Sequence, residues 1–81
     1  MDVINIGYSC YIMRQRIIAV VEPSSSPIKR LVQDARDKGT LIDATYGKKT
    51  KSVIVMDSDH VILSSRDAQY ILKTEQEVEN E

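Results

Sequence analysis

Apolar residues in this chain come in short runs, and the polar residues between them read as turns. Val3–Ile6 alternates and predicts a short strand. Gly7 punctuates it as a bend or a bulge rather than a full hairpin turn. Tyr8–Met13 predicts a second strand, with Tyr8, Cys10 and Ile12 on one face and Ser9, Tyr11 and Met13 on the other. Arg14-Gln15-Arg16 interrupts the pattern and predicts a turn with two exposed cations. Ile17–Val21 is continuously apolar and mostly β-branched, which suits a strand covered on both faces.

Glu22-Pro23 ends that run, because proline cannot continue a hydrogen-bonded ladder. Ser26 is placed to cap a helix and Pro27 to occupy its first position, where a missing N–H costs nothing. Ile28, Leu31, Val32 and Ala35 then fall at i, i+3, i+4 and i+7, one buried stripe. Arg36 and Lys38 sit at the negative end of the helix dipole, and Gly39 is suited to the left-handed residue that stops it.

Leu41–Thr45 resumes an extended pattern, with Asp43 on the opposite face from Ile42 and Ala44. Tyr46-Gly47-Lys48-Lys49 has turn chemistry through Gly47. Ser52–Met56 is a second continuous apolar run, Asp57-Ser58-Asp59 a polar turn, and His60–Ser64 the returning strand. Ser65 or Asp67 can cap a last helix with Ala68, Ile71 and Leu72 as its apolar stripe. The expected fold is α+β, mainly an antiparallel β-sheet with one well-defined helix and a short C-terminal helix. One short helix cannot cover every doubly apolar strand, so a subunit interface is expected on Ser52–Met56 and Val61–Leu63.

Composition sharpens this picture. At 81 residues, without Trp or Phe, the core must be built from Ile, Val, Leu, Met and some of the four Tyr. A domain of this size buries a modest fraction of its surface, and oligomerisation is a common source of added stability. A single cysteine, Cys10, excludes an intrachain disulfide, and Cys10 with His60 as the only Cys and His argues against a zinc site. No apolar run approaches the roughly 18 residues of a membrane span, and no secretory signal is visible, so a cytoplasmic protein is expected. Residues 1–74 read as one domain, and 75–81, EQEVENE, as an acidic tail expected to be disordered.

Charge is unevenly distributed. Up to Lys51, nine cations and five anions leave +4; after it, two cations and seven anions leave −5. A basic body of this kind can bind a polyanion although the whole chain carries −1.

Several clusters are candidates for chemistry. Asp57, Asp59 and His60 share one turn, and Cys10 is a potential nucleophile that would need a base within hydrogen-bond reach. A simple chain reversal accounts for the turn better. Two aspartates at this spacing do not match a calcium loop, which needs about six oxygen ligands. Gly7, Gly39 and Gly47 are isolated, so there is no nucleotide-binding loop. No catalytic residue, metal, cofactor or small-molecule substrate is therefore expected. The basic residues are more coherent: Arg14 and Arg16 in one turn, Lys48, Lys49 and Lys51 at another beside Tyr46 and Thr50, and Lys29 and Arg30 at the helix start. Cations at turn tips reach phosphates without burying charge, and hydroxyls add neutral donors. The same cations also fit an ordinary solvated surface, and composition does not choose between the two.

The strings PIKR, QDAR, LIDATYG and MDSDHVILS resemble, in combination, the RemA family of bacterial extracellular-matrix regulatory proteins. The resemblance runs from Ile4–Gly7 to about Ser64 and leaves out the acidic C-terminus. It implies a DNA-binding transcriptional regulator of biofilm-matrix genes, assembled as a ring-shaped homo-oligomer described as octameric, with duplex DNA wrapped on it and a nucleoid-associated location. It also implies DNA contacts at Arg16, Lys48 and Lys49; Arg14 and Lys51, which share their turns, are expected to help them. The family commonly has Arg-Arg where this chain has Lys48-Lys49, and often an aromatic-Gly-Asn stretch where it has Tyr8-Ser9-Cys10-Tyr11. Lysine keeps the phosphate attraction but lacks the planar fork of arginine. An oligomeric module binding RNA or an acidic protein, without enzymatic activity, is the alternative expectation.

Overall fold

The computed structural model describes residues 3–72. Strands β1 (Val3–Asn5) and β2 (Tyr11–Met13) are followed by a 3₁₀ turn (Arg14–Arg16), strand β3 (Ile17–Val21) and helix α1 (Ser26–Lys38). Strands β4 (Leu41–Asp43), β5 (Ser52–Met56) and β6 (Val61–Ser64) complete the core, and residues 68–72 are helical. The fold is α+β. β1 and β2 pair as an antiparallel hairpin, and the other four strands form one sheet in the order β3-β5-β6-β4. β5 is antiparallel to both neighbours, whereas β4 runs parallel to β6. Parallel pairing follows from the α1 crossover, which carries the chain from one edge of the sheet to the other.

The sheet is the middle of three layers. Alternation along β5 and β6 sends Val53, Val61 and Leu63 to one face, where they pack with Ala35 and the α1 stripe of Ile28, Leu31 and Val32. Ile54, Met56 and Ile62 point to the other face and pack with Ile4, Ile6 and Ile12 of the hairpin region and with Ile71. This explains why β5 is continuously apolar: it is covered twice, by α1 and by the hairpin, within one chain. The expectation that Ser52–Met56 and Val61–Leu63 form a subunit interface is therefore overturned, since Val53 and Ile54 are fully buried and Val61 and Ile62 nearly so.

Ile17–Val21 was expected to be covered on both faces and is instead an edge strand. Its register against β5 slips between Ile17 and Ala19, so Ile18 bulges out of the ladder and is 66% exposed. The bulge restores Ile17 and Val20 to the inner face despite their spacing of three. Ile42, on the opposite edge strand β4, is also exposed.

Three boundaries differ from the sequence expectation. Tyr8–Met13 is a strand only from Tyr11, because Gly7–Cys10 is a full hairpin turn. Its Cys10 N–H donates to the Gly7 carbonyl at 2.9 Å, and Tyr8 and Ser9 have positive φ of 54° and 62°. Ser25, not Ser26, caps α1, its hydroxyl accepting from the Ile28 N–H at 3.4 Å. β4 stops at Asp43, and Ala44 is buried while Ile42 is not. Gly39 ends α1 in the left-handed conformation (φ 81°), as its position implies. Of the two possible caps for the last helix, Asp67 is used: its carboxylate accepts from the Tyr70 N–H at 2.8 Å. Ile71 is buried but Leu72 is half exposed, so Leu72 is not part of the inward stripe. The tail 75–81 lies outside the described residues.

Candidate nucleic-acid interface

Lys48, Lys49 and Lys51 are exposed at one end of the sheet, on the segment that enters β5. The turn that carries them is fixed by backbone conformation. Tyr46 and Gly47 both have positive φ (53° and 81°), and the Lys48 N–H donates to the Thr45 carbonyl at 3.0 Å. Two consecutive left-handed residues closed by this bond give the tight reversal of primed β-turns. Glycine accommodates such a conformation freely, but tyrosine does so at a cost, so other contacts must hold Tyr46 in place.

Two such contacts are present. The Tyr46 ring stacks on Tyr8 with centroids 4.8 Å apart and planes 24° from parallel. Tyr8 is itself one of the positive-φ residues of the hairpin turn, so the stack joins two left-handed turns. The second contact is Asp43. Its carboxylate accepts the Thr45 hydroxyl at 2.6 Å and the Thr45 N–H at 2.9 Å, just before the turn begins. These two Thr45 bonds, with Arg36 nearby, hold the Asp43 carboxyl below its ordinary pKa. Asp43 is thus ionised to lower pH in the folded chain than in the unfolded one. Its contribution is complete above the ordinary carboxylate range and is lost as pH falls through the lowered folded value. Asp43→Asn is expected to melt below the wild type at neutral pH, with the gap closing in acid. A melting difference independent of pH would show that the charge is not what anchors the turn.

α1 adds to this end of the molecule. Lys29 and Arg36 line a groove of about 240 Å³ together with Thr50, next to the lysine turn. Arg30 is exposed on α1 but lies outside this groove.

Arg16 is elsewhere. It directly precedes Ile17, which pairs with Met56, and its carbonyl accepts the Asp57 N–H at 2.8 Å. Lys51 lies at the opposite end of β5. The five residues of β5 separate Lys51 from Asp57, six residue steps or roughly 20 Å of strand. One protomer therefore cannot bring Arg16 and the lysine turn to the same phosphate. The Arg16 guanidinium also has a counter-charge: Nη1 is 3.4 Å from the Asp57 carboxylate. Both side chains are largely solvent-facing, so the pair is weak and can be exchanged for another anion at little cost. Arg14 was expected to be exposed and is not. It is half-buried, with Nε and Nη2 shielded from solvent, because the 3₁₀ turn folds it inward while Arg16 points out.

Cys10 and His60 are not brought together. Cys10 bonds the hairpin turn that lies beside Ser65, whereas His60 precedes β6 at its other end, with Nδ1 2.8 Å from the Ser58 hydroxyl. No described helix is long and apolar enough to cross a membrane.

Sequence reading missed four residues that shape the site. Asp-x-Thr spacing at Asp43 and Thr45 is a local turn signal and could have been found. Asp57 as the partner of Arg16, and Tyr8 as the partner of Tyr46, depend on strand register and leave no mark in the sequence.

A family model described as extracellular matrix regulatory protein A-like, or RemA-like, matches residues 3–74. Extracellular matrix regulatory protein A of Bacillus subtilis is 61% identical over 62 residues, covering 76% of this chain and 70% of that protein. A Clostridium botulinum protein whose name describes it as regulatory is 51% identical over 81 residues, covering 96% of this chain and 91% of the relative.

Proposed function

This chain belongs to the RemA-like family of extracellular matrix regulatory proteins, and from that premise we propose that it regulates by binding duplex DNA as a ring-shaped homo-oligomer. The observation that carries the proposal is the lysine turn. Three exposed cations within four residues are presented on a reversal locked by Asp43 and the Tyr8–Tyr46 stack. Lys29 and Arg36 stand beside them. Point charges on a rigid turn suit phosphate oxygens, which position a duplex without reading its sequence.

The separation of Arg16 from this turn supports assembly. Exposed isoleucines, Ile18 and Ile42, mark the two opposite edges of the sheet. Contacts between two different edges are head-to-tail, and such contacts close into rings when the rotation permits. Closure would bury both edges and repeat each protomer's cations along one DNA path, so that Arg16 and the lysine turn meet successive phosphates on different subunits. Repetition converts weak individual contacts into avidity. Binding of this kind is dominated by phosphates and by how readily the DNA bends.

Competition at matched salt tests the ligand. Labelled duplex DNA is expected to be displaced by unlabelled duplex far more readily than by double-stranded RNA, whose A-form groove geometry differs. Equal or stronger displacement by RNA would replace DNA as the partner, and displacement by neither would remove the reading.

A further inference from the structure

We infer that Arg66 is a further phosphate-contacting residue of the same surface, an inference that rests on the DNA-binding reading above. Its position follows from the end of the β5–β6 pair. The Lys51 N–H donates to the Ser64 carbonyl at 2.8 Å, and the Ser52 hydroxyl donates to the Arg66 carbonyl at 2.7 Å. Arg66 therefore leaves the sheet directly alongside Lys51, at the end that carries Lys48 and Lys49.

Its side chain is oriented rather than loose. The guanidinium carbon lies 4.7 Å from the centre of the Tyr70 ring, a cation–π contact that holds the group over one face. Its Nε is also 3.7 Å from where a Cβ on Gly7 would be. Gly7 has no side chain and a φ of 111°, so this space stays open. The result is a concavity of about 320 Å³ lined by Gly7, Tyr8, Ser65 and Arg66.

The concavity is linked to the lysine turn through one of its walls. Tyr8 forms one wall and stacks on Tyr46, which leads through Gly47 into Lys48. No carboxylate among the described residues forms an ion pair with Arg66, and the Asp67 carboxylate next to it in sequence accepts the Tyr70 N–H instead. A guanidinium with no counter-charge among these residues, next to three more cations, raises the local positive potential and favours an anion there. The lysines supply compact point charges, whereas Arg66 supplies a planar fork matched to two phosphate oxygens. The Ser65 and Tyr8 hydroxyls add neutral donors of the kind that contact DNA backbones.

The test measures affinity for a fixed DNA duplex as a function of salt, with thermal melting of each protein alone. Arg66→Met keeps an unbranched chain over Tyr70 and removes the charge. It is expected to weaken binding about fivefold to tenfold and to flatten the log–log salt slope by about 0.9 for each contacting protomer. Arg66→Lys is expected to recover the slope and only part of the affinity. Lys48→Ala/Lys49→Ala, measured alongside, separates the two readings. If Arg66→Met binds with wild-type affinity and slope while the double lysine variant has lost binding, Arg66 is idle and the DNA reading stands. If neither variant changes binding, the DNA reading itself fails. A loss in Arg66→Met that leaves the slope unchanged, or that Arg66→Lys does not recover, assigns Arg66 a structural role and overturns the inference.

Discussion

Lys48→Ala/Lys49→Ala is expected to lower affinity for duplex DNA by on the order of a hundredfold or more while leaving the mass of the assembly unchanged. Both side chains are exposed, and the turn is held by groups other than the two lysines: the Thr45–Lys48 backbone bond, the Asp43 carboxylate and the tyrosine stack. Removing the amines should therefore leave the backbone in place. With two fewer phosphates neutralised by each protomer, the salt slope becomes shallower by about 1.8 for each protomer touching the DNA. Because protomers act together, the deficit multiplies around the assembly. Arg16→Ala should also reduce binding, and its effect is separable because Arg16 lies at the far end of β5. Gel shifts at several salt concentrations, with sizing of each variant, check these outcomes. Wild-type binding by both variants would remove these residues from the interface.

Ile18→Asp carries the second large effect. Ile18 sits on a β-bulge of an edge strand and is mostly exposed, so burying it requires another chain. An aspartate there hardly disturbs the isolated protomer but places an unpaired charge in any apolar contact on that edge. Burying such a charge costs several kcal/mol, at the ~3–5 kcal/mol level measured when a buried ion loses its partner. Light scattering is expected to show the assembly falling to smaller species, with DNA affinity dropping by a factor of about 10² to 10⁴ as avidity disappears. An unchanged mass would show that this edge is not an assembly contact, whatever the fate of DNA binding.

The fold was legible where local rules decide it. Pro27, the Ile28–Leu31–Val32–Ala35 stripe and Gly39 locate α1 within a residue, because capping, periodicity and left-handed termination are properties of short segments. The apolar runs located β3, β5 and β6 for the same reason. What surrounds a strand was not legible. Ile17–Val21 and Ser52–Met56 look alike in sequence, yet one is an edge and the other is central. That difference is set by which elements fold back onto each face. The hairpin that covers β5 depends on a turn at Tyr8 and Ser9, two residues that rarely take positive φ, so the sequence suggests only a bend at Gly7 and starts the second strand at Tyr8.

The candidate site divides the same way. Lysines at a Gly-containing turn could be read directly, and the structure finds them exposed together. The distance from Arg16 could not be read, because it depends on β3 pairing antiparallel to β5. Nor could the inward fold of Arg14. Alternation and turn propensity assign residues to elements, whereas register decides which ends of those elements are neighbours.

Salt dependence of wild-type affinity for a duplex tests the central claim most directly, since it counts the phosphates engaged. Arg14, Arg16, Lys29, Arg36, Lys48, Lys49, Lys51 and Arg66 of one protomer, all in contact at once, could give a log–log slope no steeper than about −7.2. Several protomers gripping one duplex predict a linear dependence steeper than that. A slope near zero would contradict a phosphate-led interface.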